Sequence, residues 1–292
     1  MANKKHKAKK QPQPVKVTWK KNLYENVGFP DNYTDVTFLK NLRRNVNKVE
    51  VTFLSAVCGA GLVTQEICSV ILFVIVFVYL HCDWTQPETV FMASSIVTCI
   101  GYCAYRQVLA RKQTCIEVYM QDAKTVVIFL VFGYILSPIL KTLTDTISTD
   151  TIYAMAAFMM SVHVVFFDYG VSVAVVSGCL SLNAALFAAV CLVSRLASSF
   201  HAFVLLTCAV ESFALLPLLL AQWRGSMTVL VAMITMTVLS LSTVSATITV
   251  VFVCAALFIT VACPLWFLQW QKYKDNIYGP WDEAVIDDTH WE

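Results

Sequence analysis

Eight runs of apolar residues, bounded by charged or hydroxyl-rich segments, divide the chain. Each is near the ~20 residues that a helix needs to cross a hydrocarbon core of roughly 30 Å. They cover Phe53–Leu80, Thr89–Leu109, Thr125–Leu140, Thr151–Phe167, Val171–Val193, Phe200–Ala221, Met227–Thr243 and Thr247–Leu268. The last two share one uncharged stretch between Arg224 and Lys272, too long for a single crossing, and the Ser/Thr-rich Ser240–Thr247 predicts the turn between them. The third run is short and ends near Ser137-Pro138, which predicts a tilted or broken helix, or a Lys141 that snorkels to the headgroups. The pattern predicts an all-α fold, a polytopic transmembrane helix bundle. A polar arm at 1–50 precedes the bundle at 51–268, and a polar tail at 269–292 follows it.

Composition agrees with the pattern. Apolar residues make up 58% of the chain and charged ones 14%, whereas a soluble domain carries about 25% charged residues. The net charge of +2 conceals a segregation. If the N-terminus is cytosolic, all but Lys141 and Arg195 of the 21 basic residues fall on the cytosolic side, the bias that orients membrane proteins. An even number of spans then predicts both termini in the cytosol. The lysine-rich Met1–Pro14 is expected to be disordered. No basic stretch is followed at once by an apolar run near the start, so a cleaved signal peptide is not expected. Nothing in the pattern points to a nucleic-acid partner.

Chemistry is sparse. The eleven cysteines sit singly in apolar runs; Cys99 and Cys103, one turn apart, lack a third ligand at zinc spacing, so no metal and no cofactor are expected. Phosphate-binding glycine loops and the GxSxG elbow are absent from the sequence. Four ionisable residues inside or at the ends of spans need an explanation: Glu66, His163, Asp168 and Glu211. Glu66, His163 and Asp168 are predicted in the cytosolic third, and Glu211 and Asn183 near the midplane. Glu66, His163 and Asp168 are candidates for a polar pocket that holds a lipid headgroup, set against simple interhelical hydrogen bonding. The hydroxyl-rich segment 137–151 adds Lys141, Asp145 and Asp150 as candidates, with Ser148 or Asp150 expected to cap the next helix. In the fifth span Gly170, Ala174 and Gly178 recur every fourth residue, as do Ser177, Ser181, Ala185 and Ala189. Such stripes let helix backbones approach closely and predict a central helix. The arms combine charges with Trp19, Tyr24, Phe29, Tyr33, Tyr278 and Trp281, the composition of docking surfaces.

Several motifs in order resemble one family. They are Trp19-Lys20-Lys21-Asn22-Leu23-Tyr24-Glu25, Phe29-Pro30-Asp31-Asn32-Tyr33-Thr34-Asp35, the segment from Ser137-Pro138 to Ala154-Met155, and His163 with Phe166-Phe167-Asp168-Tyr169-Gly170. Ser181-Leu182-Asn183, Ser194-Arg195-Leu196, His201-Ala202-Phe203 and the closing Asn276–Ala284 complete the set. Over about residues 19–284 the chain resembles the PIG-C family, the C-type membrane component of phosphatidylinositol N-acetylglucosaminyltransferase. The resemblance implies a subunit of the endoplasmic-reticulum complex that moves N-acetylglucosamine from UDP-GlcNAc to phosphatidylinositol at the cytosolic face, the first step of GPI-anchor biosynthesis. It implies that a PIG-A-type subunit is catalytic, with PIG-H, PIG-P, PIG-Q and PIG-Y as further partners, so that this chain is a membrane scaffold that presents lipid. A lipid-modifying membrane enzyme in its own right, or a small-molecule transporter, would be the alternatives.

Overall fold

In a bilayer every backbone amide and carbonyl must find its partner within the protein, so apolar runs of membrane length fold as helices. The computed structural model describes residues 29–30, 33, 43–45, 51–109, 116–144, 146–170, 178–275 and 277–278, and eight helices run through them. These are α1 Phe53–His81, α2 Pro87–Leu109, α3 Ile116–Thr142, α4 Thr149–Phe166, α5 Gly178–Val193, α6 Ser199–Trp223, α7 Met227–Val244 and α8 Ala246–Gln271. Six are long and apolar enough to cross a membrane; α2 and the 16-residue α5 are not among them. Helices α6 and α8 each widen into a π-turn, at Glu211–Leu215 and Phe258–Ala262.

Local chemistry sets the boundaries. The Thr52 hydroxyl caps α1 by accepting from the Ser55 N–H at 3.3 Å, and the Ser198 hydroxyl caps α6 by accepting from the His201 N–H at 3.3 Å. The predicted Ser/Thr turn shrinks to one extended residue, Ser245 (φ −161°, ψ 124°), between α7 and α8.

Helix α3 departs from its short prediction. It runs unbroken for 27 residues through Pro138. Its charged start reads as a boundary in the sequence, yet Asp122 pairs with Arg106 of α2 and accepts a 2.7 Å hydrogen bond from Tyr102. Lys141 is also placed differently, donating to the Ala197 carbonyl at 2.7 Å.

The bundle, residues 51–272, forms one compact unit. Helices α1 and α6 are its most enclosed long members, 50% and 39% buried in their apolar windows against 11–22% for the others. Helix α5 packs on α4 and α6, α1 packs on α7, and α2 and α3 flank α6. The larger core gathers Phe73, Leu80, Ile152, Ala185, Ala189 and Phe203; a smaller one joins Cys68 and Ile75 to Leu241, Phe252 and Ala256. Gly61 brings α1 close to α7, since a Cβ there would lie 2.9 Å from the Leu230 side chain.

The packing face of α5 is Ser181, Ala184, Ala185, Ala188 and Ala189, all buried. Ser181, Ala185 and Ala189 of the second predicted stripe lie on this face, whereas the first stripe does not fall on one described helix. Gly170 lies in the turn after α4 with φ +78°, and Gly178, the first described residue of α5, has open space among the described residues where a Cβ would stand. Ala174 and Ser177 lie outside the described residues. Asn183, in the described part of α5, is exposed.

Residues 1–50 and 273–292 form a second compact unit. Within it Arg43–Arg44 (β1) pairs antiparallel with Ile277–Tyr278 (β2), Arg43 opposite Tyr278. Asn45 Nδ2 donates to Asp275 Oδ1 at 2.9 Å. Phe29 and Tyr33 lie 4.6 Å apart between ring centroids. Trp19, Tyr24, Trp281 and Met1–Pro14 lie outside the described residues.

Candidate functional site

The most concentrated polar chemistry in the bundle lies where α1, α4 and α5 meet. The α4–α5 reversal sets His163, in the last turn of α4, opposite Ser181, in the first turn of α5; Glu66 reaches them from the middle of α1. Their residual exposures are 4% for Glu66, 1% for His163 and 2% for Ser181. His163 Nε2 is 2.7 Å from Glu66 Oε1, and His163 Nδ1 is 3.0 Å from the Ser181 carbonyl oxygen.

One tautomer satisfies every contact of the ring. A carbonyl oxygen only accepts, so Nδ1 carries a proton. The Ser181 hydroxyl, 2.8 Å from Nδ1, donates its own proton to the His163 carbonyl at 3.0 Å and therefore also accepts from the ring. One proton is left for the Nε2–Glu66 contact. The contact sets an acid against a base, and such pairing is how ionisable groups tolerate burial.

Aromatic rings enclose the cluster. Phe213, in the π-turn of α6, meets the His163 ring edge-on at 4.9 Å, and Phe73 meets Phe213 at 5.1 Å. The π-turn displaces a carbonyl from regular helix pairing, and the Ser69 hydroxyl donates to Ser212 O at 3.3 Å. Beyond α4, Tyr169 donates to the Val164 carbonyl at 2.6 Å; burial, with the Glu66 carboxylate behind it, pushes its phenol pKa upward, so it remains a donor.

His163 and Asp168 are not neighbours. Helix α4 ends at Phe166, and Asp168 turns to accept the Gly170 N–H at 2.8 Å, with Arg224 3.7 Å from its other oxygen. His163 is joined to Glu66, which the sequence placed in the same candidate pocket. At the opposite end of the bundle Asp150 is exposed in the first turn of α4, and Asp145 lies outside the described residues. Ser148 holds the N-cap position, but its hydroxyl meets Thr151 Oγ1 at 2.7 Å and no backbone amide. Sequence reasoning overlooked Arg195 as a tie there. It donates to the carbonyls of Thr144 at 2.6 Å and Ile147 at 2.8 Å, so both basic residues of this end hold backbone.

Glu211 lies midway along α6, half-buried at the first residue of the π-turn. An ionised carboxyl at mid-span costs about 2.5–3.5 kcal/mol on insertion scales. Among the described residues no ion pair to Glu211 is found to offset it. Between α1 and α4 runs an apolar groove of about 770 Å³ lined by Val70, Val74, Phe77, Tyr153, Met160 and Val165 among others. Among the described residues no three His, Cys, Asp or Glu side chains converge as metal ligands.

Comparison with known proteins adds the family context. The profile of the family described as phosphatidylinositol N-acetylglucosaminyltransferase, GPI2, matches residues 19–282. A Bos taurus protein, named as the C subunit of phosphatidylinositol N-acetylglucosaminyltransferase, is 40% identical over 289 residues, spanning 94% of this chain and 96% of its own. The Homo sapiens protein of the same name is 39% identical with the same coverage. The GPI2 subunit of Schizosaccharomyces pombe is 32% identical over 93% of this chain and 87% of its own. No solved structure gives a significant match.

Proposed function

Because the chain belongs to the GPI2 (PIG-C) family of phosphatidylinositol N-acetylglucosaminyltransferase subunits, we propose that it is the non-catalytic membrane subunit of that transferase. In this reading it sits in the endoplasmic-reticulum membrane with both termini cytosolic. It holds a PIG-A-type catalytic subunit against the bilayer, beside PIG-H, PIG-P, PIG-Q and PIG-Y, while that subunit transfers N-acetylglucosamine from UDP-GlcNAc to phosphatidylinositol.

The observation that supports a scaffold is the use made of the buried acid and base. Glu66 and His163, the pair best suited to proton chemistry, are bonded to each other and sealed under aromatic rings. Presentation of the acceptor lipid is favoured by the apolar α1–α4 groove, which extends along the bundle from Ile67 to Cys82. The purified chain in phosphatidylinositol vesicles is expected to transfer no label from UDP-GlcNAc. Adding the PIG-A-type subunit and its partners should restore transfer. Robust transfer by this chain alone would overturn the reading in favour of a membrane enzyme.

A further inference from the structure

Lys141 and Arg195 are the two basic residues on the side of the membrane assigned to the lumen, against the bias that orients the chain. Both engage the short turn between α5 and α6: Arg195 stands in it, and Lys141 donates to its Ala197 carbonyl at 2.7 Å. Their hydrogen-bond partners are backbone carbonyls, and among the described residues no ion pair joins either cation to a carboxylate. Carbonyls satisfy the donors and leave the charge uncompensated. Arg195 is also incompletely satisfied. Its Nε is shut off from solvent without a hydrogen-bond partner, and so is the hydroxyl of Thr144, whose carbonyl Arg195 Nη2 binds. Buried unpaired groups of this kind cost free energy until an acceptor reaches them.

The same turn lies at one end of the apolar groove. Between α1 and α4 the groove ends at His81 and Cys82 on one wall and Tyr153 on the other. His81 joins the two features. Its ring stacks on Phe77 inside the groove at 5.4 Å, and its Nδ1 donates to the Arg195 carbonyl at 3.2 Å. On the α4 side Arg195 Nη2 also binds the Ile147 carbonyl, just ahead of the first turn of that helix, at 2.8 Å. An apolar channel of about 770 Å³ that ends at two uncompensated cations complements an amphiphile with an anionic head.

We propose that this end of the groove holds an anionic glycerophospholipid, one acyl chain lying along Phe77 and Tyr153 and the phosphate reached by Arg195, Lys141 and the Thr144 hydroxyl. Charge complementarity selects the head, and the apolar walls select the tail. A neutral diacylglycerol fills the walls but leaves the cations unpaired, and inorganic phosphate does the reverse. The lipid enters at the His81 end, in the leaflet assigned to the lumen, and is therefore distinct from an acceptor presented at the cytosolic end of the bundle. The proposal goes beyond the scaffold reading and does not depend on which subunits the chain joins.

The test uses the full chain, extracted from membranes into a neutral detergent and titrated with phosphatidylserine, phosphatidylcholine, diacylglycerol or inorganic phosphate while its melting temperature is followed. Phosphatidylserine should raise the melting temperature with saturation. Diacylglycerol and inorganic phosphate should leave it unchanged, and phosphatidylcholine should bind about fivefold more weakly or less. An equal response to phosphatidylserine and diacylglycerol, or to the two phospholipids, overturns the proposal, and so does no response to any of them. Lys141→Gln gives up only an exposed backbone contact, so the lipid-free chain should melt near wild type. Its affinity for phosphatidylserine should fall about fivefold. Ala157→Trp, at an exposed position that lines the groove, tests the tail and leaves the cations intact; it should abolish the shift. Wild-type binding by either variant overturns the proposal. Sugar transfer by the chain alone contradicts the scaffold reading and leaves this site untouched.

Discussion

Glu66 Oε1 and His163 Nε2 lie 2.7 Å apart although 97 positions separate them in the chain, and together they fasten α1 to α4. Removing one partner of a buried pair leaves an uncompensated group and costs about 3–5 kcal/mol, whereas replacing both by apolar residues of similar size is often close to neutral. His163→Leu and Glu66→Leu should each lower the melting temperature and the cellular level of the chain. The double variant should recover most of the loss. A double variant as unstable as the sum of the two singles would show that the residues act separately.

At the opposite end of the bundle Arg195 ties the α3–α4 connection to the α5–α6 turn through the carbonyls of Thr144 and Ile147. Hydrogen bonds from a charged donor contribute about 1.5–3 kcal/mol. Arg195→Ala should therefore destabilise the chain measurably and speed proteolysis within 143–148. Lys141→Ala, which gives up a single exposed contact with Ala197 O, should have a smaller effect. Equal effects in limited proteolysis would refute this ranking.

Ala185 is wholly buried on α5, whereas at Gly178, the first described residue of the same helix, an added Cβ would meet nothing within 4 Å among the described residues. Overpacking a closed interface costs typically about 1–3 kcal/mol. Ala185→Leu should reduce folded protein and complex yield, and Gly178→Leu should leave both near wild type. Size-exclusion profiles showing the reverse order would exclude α5 as a tightly packed helix.

Much of the bundle was legible in the sequence because the length of an apolar run answers directly to membrane thickness. Six boundaries on either side of α1, α7 and α8 fall within a few residues of the predicted runs. The start of α3 was not legible, because Asp122 and Lys124 read as the edge of a span, and Asp122 is matched by Arg106 on a different helix. The site was legible only in its parts. Glu66 and His163 each stood out as ionisable residues in apolar surroundings, yet nothing in the spacing of residues on one helix encodes which distant helix it meets. Asp168, grouped with them in the sequence, lies beyond the end of α4 at Phe166 and accepts from the Gly170 N–H instead.

Sidedness rests on the distribution of basic residues and is open to a simple check. Asn32-Tyr33-Thr34 is a glycosylation sequon on the side assigned to the cytosol. It should stay unmodified in cells. An endoglycosidase-sensitive mass shift abolished by Asn32→Gln would reverse the orientation.

The central claim, that the buried acid and base serve architecture and not chemistry, is tested most directly by transfer activity per mole of assembled complex in Glu66→Gln. The glutamine can donate to His163 Nε2, so contact is kept while the shared proton is lost. The account predicts activity per assembled complex within about twofold of wild type, any loss appearing as less complex. General acid–base catalysis contributes about 100-fold or more, so a fall of that size in fully assembled complex would contradict it.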